Sequence, residues 1–403
     1  MKIGIFTNNY LPNPYGVSGS VESFRKEFER MGHEVYIFAP KWKGYKDPDP
    51  RACPPQDSSA KNFGRVFRYP SIETNIKIKF PLAIPYSRKI SEILKKIDLD
   101  VIHSQHPNLL GSAAARWARR KSASRRIPLV FTWHTLYDQY AHFVPFVPRR
   151  IAAWFAIRNA RNYANKCDAV VTPTPSVAEI IRGWGVTNRN IISIPTGVEA
   201  RQFENPDREG VRKKYNIEND ETLLFVMTRL TDEKNVEFLV DAIMPVLKKN
   251  DRAKFMICGE GNLKEALMKK IFEAGLKEKT VFVGIVSDSE KKNYYAAGDI
   301  FIYASKSETQ GMILTEAMYS GLPIVAVRAT GVKDIVENGK TGFLVPEDVQ
   351  EFGKAVQKLI DGENLKREFS EEAEKVAREK YTAEVCARKM IEVYENAIKN
   401  FRR

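Results

Sequence analysis

No apolar run in this chain approaches the length needed to cross a bilayer. Cysteine is scarce. Cys53, Cys167, Cys258 and Cys386 stand far apart with no metal-ligand spacing, so four free thiols in a reduced compartment are expected. Histidine is also sparse, with five in 403 residues, and no two are spaced to hold a metal. Internal repeats and low-complexity tracts are missing, and no nucleic-acid-binding module is visible. No signal-peptide pattern precedes the first apolar strand, Ile3-Gly-Ile-Phe6, so a cytoplasmic location is expected.

Acidic residues are depleted in only one half. Residues 1–200 hold 30 Lys and Arg against 15 Asp and Glu, whereas residues 201–403 hold 34 against 35. The net charge of +14 therefore belongs to the first half. Such asymmetry points to a polyanionic partner there, an anionic membrane ahead of nucleic acid, or else to a merely soluble basic domain.

What remains is an ordinary globular pattern. A hydrophobic content of 43% and a length of 403 residues suit two domains with normal cores. Strands are predicted at 2–7, 34–39, 100–104, 128–133, 168–172 and 191–194, alternating with helices near 19–31, 85–97, 108–121, 148–166 and 176–183. A second series has strands at 222–228, 254–258, 280–284, 299–303, 323–327 and 342–344, and a last amphipathic helix covers 383–402. Alternating strands and helices imply parallel, doubly wound sheets. Residues 41–63, rich in Pro, Lys and Asp, read as a long irregular loop.

Two segments carry charge to strand ends. The apolar strand Ile300-Phe-Ile-Tyr303 runs into Ser305-Lys-Ser-Glu-Thr-Gln-Gly-Met-Ile-Leu-Thr-Glu-Ala-Met318, where a helical pattern follows. Glu308 is expected in the turn and Glu316 two turns into the helix. Upstream, Leu223-Leu-Phe-Val-Met227 leads into Thr228-Arg-Leu-Thr-Asp-Glu-Lys-Asn235, which puts Arg229 and Lys234 beyond a strand's C-terminal end. Open α/β sheets bind ligands at that edge, and helix N-termini there attract phosphate. Two cations and two carboxylates suit a charged, hydroxyl-rich ligand such as a nucleotide sugar.

Arg229 and Lys234 followed by Glu308 and Glu316 resemble the donor-site signature of retaining GT-B glycosyltransferases of family 4, the large family that includes sucrose synthases and phosphatidylinositol mannosyltransferases. The resemblance extends through Gly32-His-Glu-Val35, Phe131-Thr-Trp-His134, Ile194-Pro-Thr-Gly197, Gly259-Glu-Gly261 and Gly321-Leu-Pro323. It implies two Rossmann-like domains facing a cleft. Residues 1–198 with a returning helix at 380–403 would form an acceptor and membrane-binding domain, and 199–379 the nucleotide-sugar domain. It also implies that Arg229 and Lys234 hold the donor diphosphate, that Glu316 binds the ribose, and that Glu308 touches sugar hydroxyls near the reacting carbon. Gly311, Met312 and Ile313 would offer backbone N–H groups, and His134 would lie near the donor sugar. Gly16 matches the second glycine of a Gly-Gly pair in many relatives, whereas Tyr15 departs from the first. His103 and His106 also stand at a strand end, while His33 reads as structural.

Metal-using transferases of another fold carry Asp-x-Asp at a strand end. Here Asp47-Pro-Asp49 lies in a loop and Asp98-Leu-Asp100 precedes its strand, so no metal or other cofactor is expected. The stretch Asp138-Gln-Tyr-Ala-His-Phe-Val-Pro145 after Trp133-His134 resembles diacylglycerol glucosyltransferases, as does Glu308-Thr-Gln-Gly311, which implies that Asp138 and His142 line the acceptor side. The leading expectation is transfer of glucose from UDP-glucose to 1,2-diacylglycerol by a protein peripheral to the inner face of the cell membrane. The basic amphipathic segments 77–89, 116–126 and 149–158 would touch anionic lipid. A GDP-mannose-dependent lipid mannosyltransferase, a transferase with a soluble acceptor, and a non-catalytic nucleic-acid-binding protein are the alternatives.

Overall fold

The computed structural model describes residues 1–13, 16–47, 65–73, 81–120, 126–140 and 148–401. It divides into two compact units, Met1–Thr196 with Ala383–Arg403, and Gly197–Thr382. Most of the irregular loop expected at 41–63, and His142, fall outside the described residues.

The first unit opens with β1 (Lys2–Phe6), α1 (Gly16–Arg30) and β2 (Glu34–Pro40). Phe28 of α1 is buried, and the helix stops where Gly32 takes a φ of 82°. The His33 amide then reaches back to the Phe28 carbonyl at 2.9 Å, closing the helix end as glycine stops do. The chain continues through β3 (Val66–Tyr69), β4 (Ser71–Glu73), β5 (Pro81–Ala83), α2 (Arg88–Lys96), β6 (Val101–Ser104), α3 (Leu110–Ala118) and β7 (Leu129–Thr132). It then forms α4 (Tyr137–Tyr140), α5 (Arg149–Ala164), β8 (Ala169–Thr172), α6 (Pro175–Gly183) and β9 (Ile191–Ser193). Seven strands make one parallel sheet in the order β3-β2-β1-β6-β7-β8-β9, and β4 with β5 forms a separate antiparallel hairpin. Its central strands are apolar on both faces because helices cover both. The C-terminal helix belongs to this unit: Tyr394 meets Phe28 edge-on at 5.6 Å and its hydroxyl lies 2.6 Å from His103 Nδ1.

The second unit runs α7 (Arg208–Lys214), β10 (Thr222–Met227), α8 (Val236–Lys249), β11 (Ala253–Cys258), α9 (Lys264–Glu273), β12 (Thr280–Gly284), α10 (Lys291–Ala297) and β13 (Ile300–Tyr303). After these come α11 (Met312–Tyr319), β14 (Ile324–Val327), α12 (Val332–Ile335), β15 (Gly342–Val345), α13 (Val349–Asp361) and α14 (Glu363–Lys380), and the chain ends in α15 (Ala383–Phe401) of the first unit. The sheet is parallel throughout, ordered β12-β11-β10-β13-β14-β15. Its strand order reverses between β10 and β13, so the loops leaving these two strands diverge and leave a crevice at the sheet's C-terminal edge. In the first unit the same reversal falls between β1 and β6.

Candidate functional site

The loop after β10 carries Arg229 and Lys234, and the loop after β13 carries Glu308. Both leave the sheet at its reversal point, which is why residues 74 apart in sequence meet. Lys234 Nζ lies 2.5 Å from Glu308 Oε1, and both side chains are largely buried. The same Glu308 oxygen accepts from the Tyr303 hydroxyl at 2.5 Å and from Ser305 Oγ at 3.0 Å. Burial alone would raise the Glu308 pKa. The Lys234 ammonium and the two hydroxyl donors outweigh it and hold the carboxyl below its usual range. Burial and the Glu308 anion together push the Tyr303 phenol well above its ordinary value, so it stays a donor.

Arg229 pairs with Glu233 in its own loop and is 57% exposed, so its guanidinium remains available to an incoming anion. The Gly259-Glu-Gly261 turn after β11 supports this loop. Leu230 N bonds to the Glu260 carbonyl at 2.9 Å, and a Cβ on Gly259 would stand 1.8 Å from the Thr228 carbonyl oxygen. Only glycine permits that approach.

Glu316 lies one turn into α11, not two. The helix begins only at Met312, because Gly311 adopts a left-handed conformation with φ 77° and holds the preceding residues out of it. Glu316 is buried, with Oε1 2.6 Å from Lys291 Nζ and Oε2 2.9 Å from the Tyr295 hydroxyl. Both partners come from α10. They orient the carboxylate, and its remaining lone pairs can accept from ligand hydroxyls. The structure therefore joins Lys234 to Glu308 and gives Arg229 and Glu316 separate partners. Sequence reasoning missed Lys291, Tyr295, Tyr303, Ser305 and Glu233. Lys291 and Tyr295 stand four apart, on one face of a helix, which was the only available signal.

In the first unit, His134 follows β7 and its Nε2 lies 2.7 Å from Gln105 Oε1. Gln105 accepts there, so His134 donates through Nε2 and leaves Nδ1 with a lone pair. Burial drives the His134 pKa down to about 3, with His106 and His103 adding to the shift, so the ring is neutral at physiological pH. The Asn8 amide donates to His106 Nδ1 at 3.1 Å, tying the loop after β1 to the loop after β6. His103 is buried between Tyr394 and Thr132 and is structural. His33 bonds the N-terminal amine through Nδ1 at 3.1 Å. Gly16 begins α1 and faces open space, while the Oγ of nearby Ser18 is buried without a hydrogen-bond partner. Asp138 is exposed on α4. Asp47 pairs with Arg68, and Asp100 accepts from the Lys2 backbone amide at 2.8 Å, while Asp49 lies outside the described residues. Among the described residues no three His, Cys, Asp or Glu side chains converge as a metal site.

Comparison with known proteins extends this geometry. Residues 14–202 match the glycosyltransferase family 4 model, and residues 207–376 match the glycosyl transferases group 1 model. The alpha-monoglucosyldiacylglycerol synthase of Streptococcus pneumoniae is 29% identical over 89% of this chain and 78% of its own length. A GDP-mannose-dependent alpha-mannosyltransferase of Mycobacterium tuberculosis is 26% identical over 86% of this chain and 84% of its own. Among solved structures, Anabaena Alr3699/HepE in complex with UDP superposes with a TM-score of 0.76 at 18% identity, covering 98% of this chain and 100% of that one. Two matched models that together take in both units, and a shared fold across nearly the whole length, make this chain a glycosyltransferase of the GT-B family 4 group.

Proposed function

We propose that the protein is a retaining, metal-independent glucosyltransferase that moves glucose from UDP-glucose to a membrane lipid, 1,2-diacylglycerol first among the candidates. The observation that carries this reading is the buried Lys234–Glu308 pair at the strand-order reversal of the second unit. There an ammonium stands ready for diphosphate beside a carboxylate that stays ionised and can accept from sugar hydroxyls. Arg229 adds a second, exposed cation. Charge develops on the departing phosphate during transfer, and fixed cations stabilise it without a metal. Glu316, held by Lys291 and Tyr295, binds the ribose hydroxyls.

In this reading the acceptor oxygen attacks the sugar carbon from the face the phosphate leaves. The carbon–phosphate oxygen bond breaks, the new glycosidic bond forms, and the acceptor proton passes to a phosphate oxygen of the leaving UDP. No enzyme base is needed, which suits a neutral His134 with a depressed pKa. His134 instead accepts a hydrogen bond through Nδ1.

The lipid acceptor draws support from the diacylglycerol-directed relative and from the first unit's surface. Ile151, Trp154 and Phe155 form an exposed apolar stripe on α5, and Arg158 stacks on Trp154 at 5.2 Å. An aromatic and basic helix face of this kind seats in an anionic interface, here the inner face of the cell membrane. No described helix is long and apolar enough to cross a membrane. The mannosyltransferase relative keeps a second reading in view, with GDP-mannose as donor. The test is transfer from UDP-glucose to diacylglycerol vesicles in excess EDTA, with the anomeric configuration read by proton NMR. An α-linked product in EDTA supports the proposal. A β-linked product, or activity restored only by magnesium or manganese, overturns it.

A further inference from the structure

The first half of the chain is basic, yet one edge of its sheet is kept free of charge. The strands β1, β6, β7, β8 and β9 all end there. Residues 7–13, 105–109, 133–136, 173–174 and 194–196, which lead away from them, include no Lys, Arg, Asp or Glu. The first four residues of α1, α3 and α6 add none. His106 and His134 are held neutral by burial. Asp138 follows in α4. An edge of this kind suits an uncharged partner. A phosphate placed against neutral groups alone gives up its water and gains no cation in exchange.

The side chains at this edge form a neutral hydrogen-bonded set. The Asn8 side chain donates to the Asn108 backbone carbonyl at 3.1 Å and accepts from the Leu110 amide at 3.0 Å, so the loop after β1 fixes the loop after β6. The same carbonyl accepts from the Gly111 amide at 3.0 Å. Between Asn108 and α3, Leu109 takes φ 51° and ψ −107°, a conformation that residues with side chains rarely adopt. Such strain persists only where the surroundings impose it. Here it leaves Asn108 at the surface while its carbonyl is tied inward. Asn159 of α5 donates through Nδ2 to Asn108 Oδ1, and both residues are exposed. Among the described residues this is the only hydrogen bond of either side-chain amide. It leaves the N–H bonds of Asn108 beside the carbonyl oxygen of Asn159, a donor next to an acceptor. Neighbouring hydroxyl groups, which both donate and accept, match that pair. The arginines flanking Asn159 in α5 are engaged elsewhere. Arg158 stacks on Trp154, and Arg161 packs beside Gly185.

We propose that this edge takes an acceptor whose reacting end is an uncharged alcohol, and that Asn108 and Asn159 read its hydroxyl groups. An acceptor with a phosphate beside the attacked oxygen is refused, because no cation meets it. The inference rests on the reading above that the first unit takes the acceptor. It concerns the class of acceptor, whatever the donor.

The full-length protein is given UDP-glucose or GDP-mannose with two matched pairs of acceptors. Dioctanoylglycerol and dioctanoyl phosphatidylinositol are presented in neutral detergent micelles, and glucose and glucose 6-phosphate in solution. The acceptor used best should be an uncharged one, at least tenfold above its phosphate-bearing counterpart in kcat/KM. N108A/N159A should raise the KM for that acceptor at least tenfold with the donor KM unchanged, and should melt with the parent because both side chains are exposed. Asn159→Lys, which brings a cation to the edge, should cut the preference for the uncharged acceptor at least fivefold, a ratio that a loss of packing would not move. A parent that prefers a phosphate-bearing acceptor overturns the proposal. So does an unaltered acceptor KM in N108A/N159A, or a donor KM that rises as much as the acceptor KM. Transfer from GDP-mannose alone, or to glucose in place of dioctanoylglycerol, overturns the function proposed above and leaves this inference standing.

Discussion

At Glu308, burial and charge pull in opposite directions. Burial favours the neutral acid, but Lys234, Tyr303 and Ser305 together hold the anion. A carboxyl lowered in the folded state adds stability above its unfolded value of about 4.3, and this is lost as pH falls through the folded value. Glu308 should therefore stay ionised through the working range, and the kcat profile of the wild type should show no acid limb from it above about pH 4.3. Three histidines behave oppositely. His103 and His134 are pushed down to about 3 and His106 to about 4, all by burial first. The unfolded chain takes up protons near pH 6.5 that the folded one refuses, so stability should fall steadily below that pH. Melting curves from pH 7 to pH 4.5 check this, and a flat Tm would contradict it. On the proposed reading, the roles of Glu316 and Arg229 also separate. Glu316→Ala should raise the donor KM, whereas Arg229→Ala should lower kcat by roughly 3–4 kcal/mol in the barrier. Near-normal kinetics in both variants would contradict the site. Glu308 and Glu316 were legible in the sequence because one strand-to-helix motif holds both. Lys291 and Tyr295 were not, because α10 reaches Glu316 only through tertiary packing.

At the scale of elements, the central parallel strands were legible because each is apolar on both faces. The hairpin of β4 and β5 was not. Its strands have three residues each, too few for an alternating pattern to declare itself, and the sequence around it reads as one basic amphipathic segment. The strand β3 was hidden for a similar reason, at the end of a proline-rich loop. Gly311 shows how one residue sets an element's start. A Cβ there would lie 3.1 Å from Leu314 Cδ1 at a φ that disfavours side chains, so Gly311→Ala should cost about 1 kcal/mol or more and loosen donor binding. Two aromatic substitutions in the first unit should separate packing from docking. Trp133 is fully buried, and Trp133→Ala should cost about 3–5 kcal/mol in urea melts. Phe155→Ser on the exposed face of α5 should change stability by no more than about 0.5 kcal/mol yet weaken vesicle binding. Unchanged vesicle binding by Phe155→Ser would remove α5 from the membrane seat.

Over the whole molecule, the two halves of the chain differ in charge. The basic excess of residues 1–200 suits an anionic surface, whereas residues 201–403 hold nearly equal numbers of cations and carboxylates. Vesicle binding should weaken as salt rises, since each cation near an anionic surface contributes about 1 kcal/mol that salt screens. Some binding should persist at high salt through Ile151, Trp154 and Phe155, whose burial does not depend on ions. The two-unit organisation was legible from repeated βα patterns, but the acceptor was not, because the donor motifs recur across many activities. The most direct measurement is therefore one of product. The protein is incubated with a panel of radiolabelled nucleotide sugars and a total lipid extract, and the label is followed into the organic phase. The account predicts that glucose from UDP-glucose enters the lipid fraction with the wild type and not with Glu308→Gln. Label that stays in the aqueous phase with every donor, or lipid labelling that survives Glu308→Gln undiminished, would contradict it.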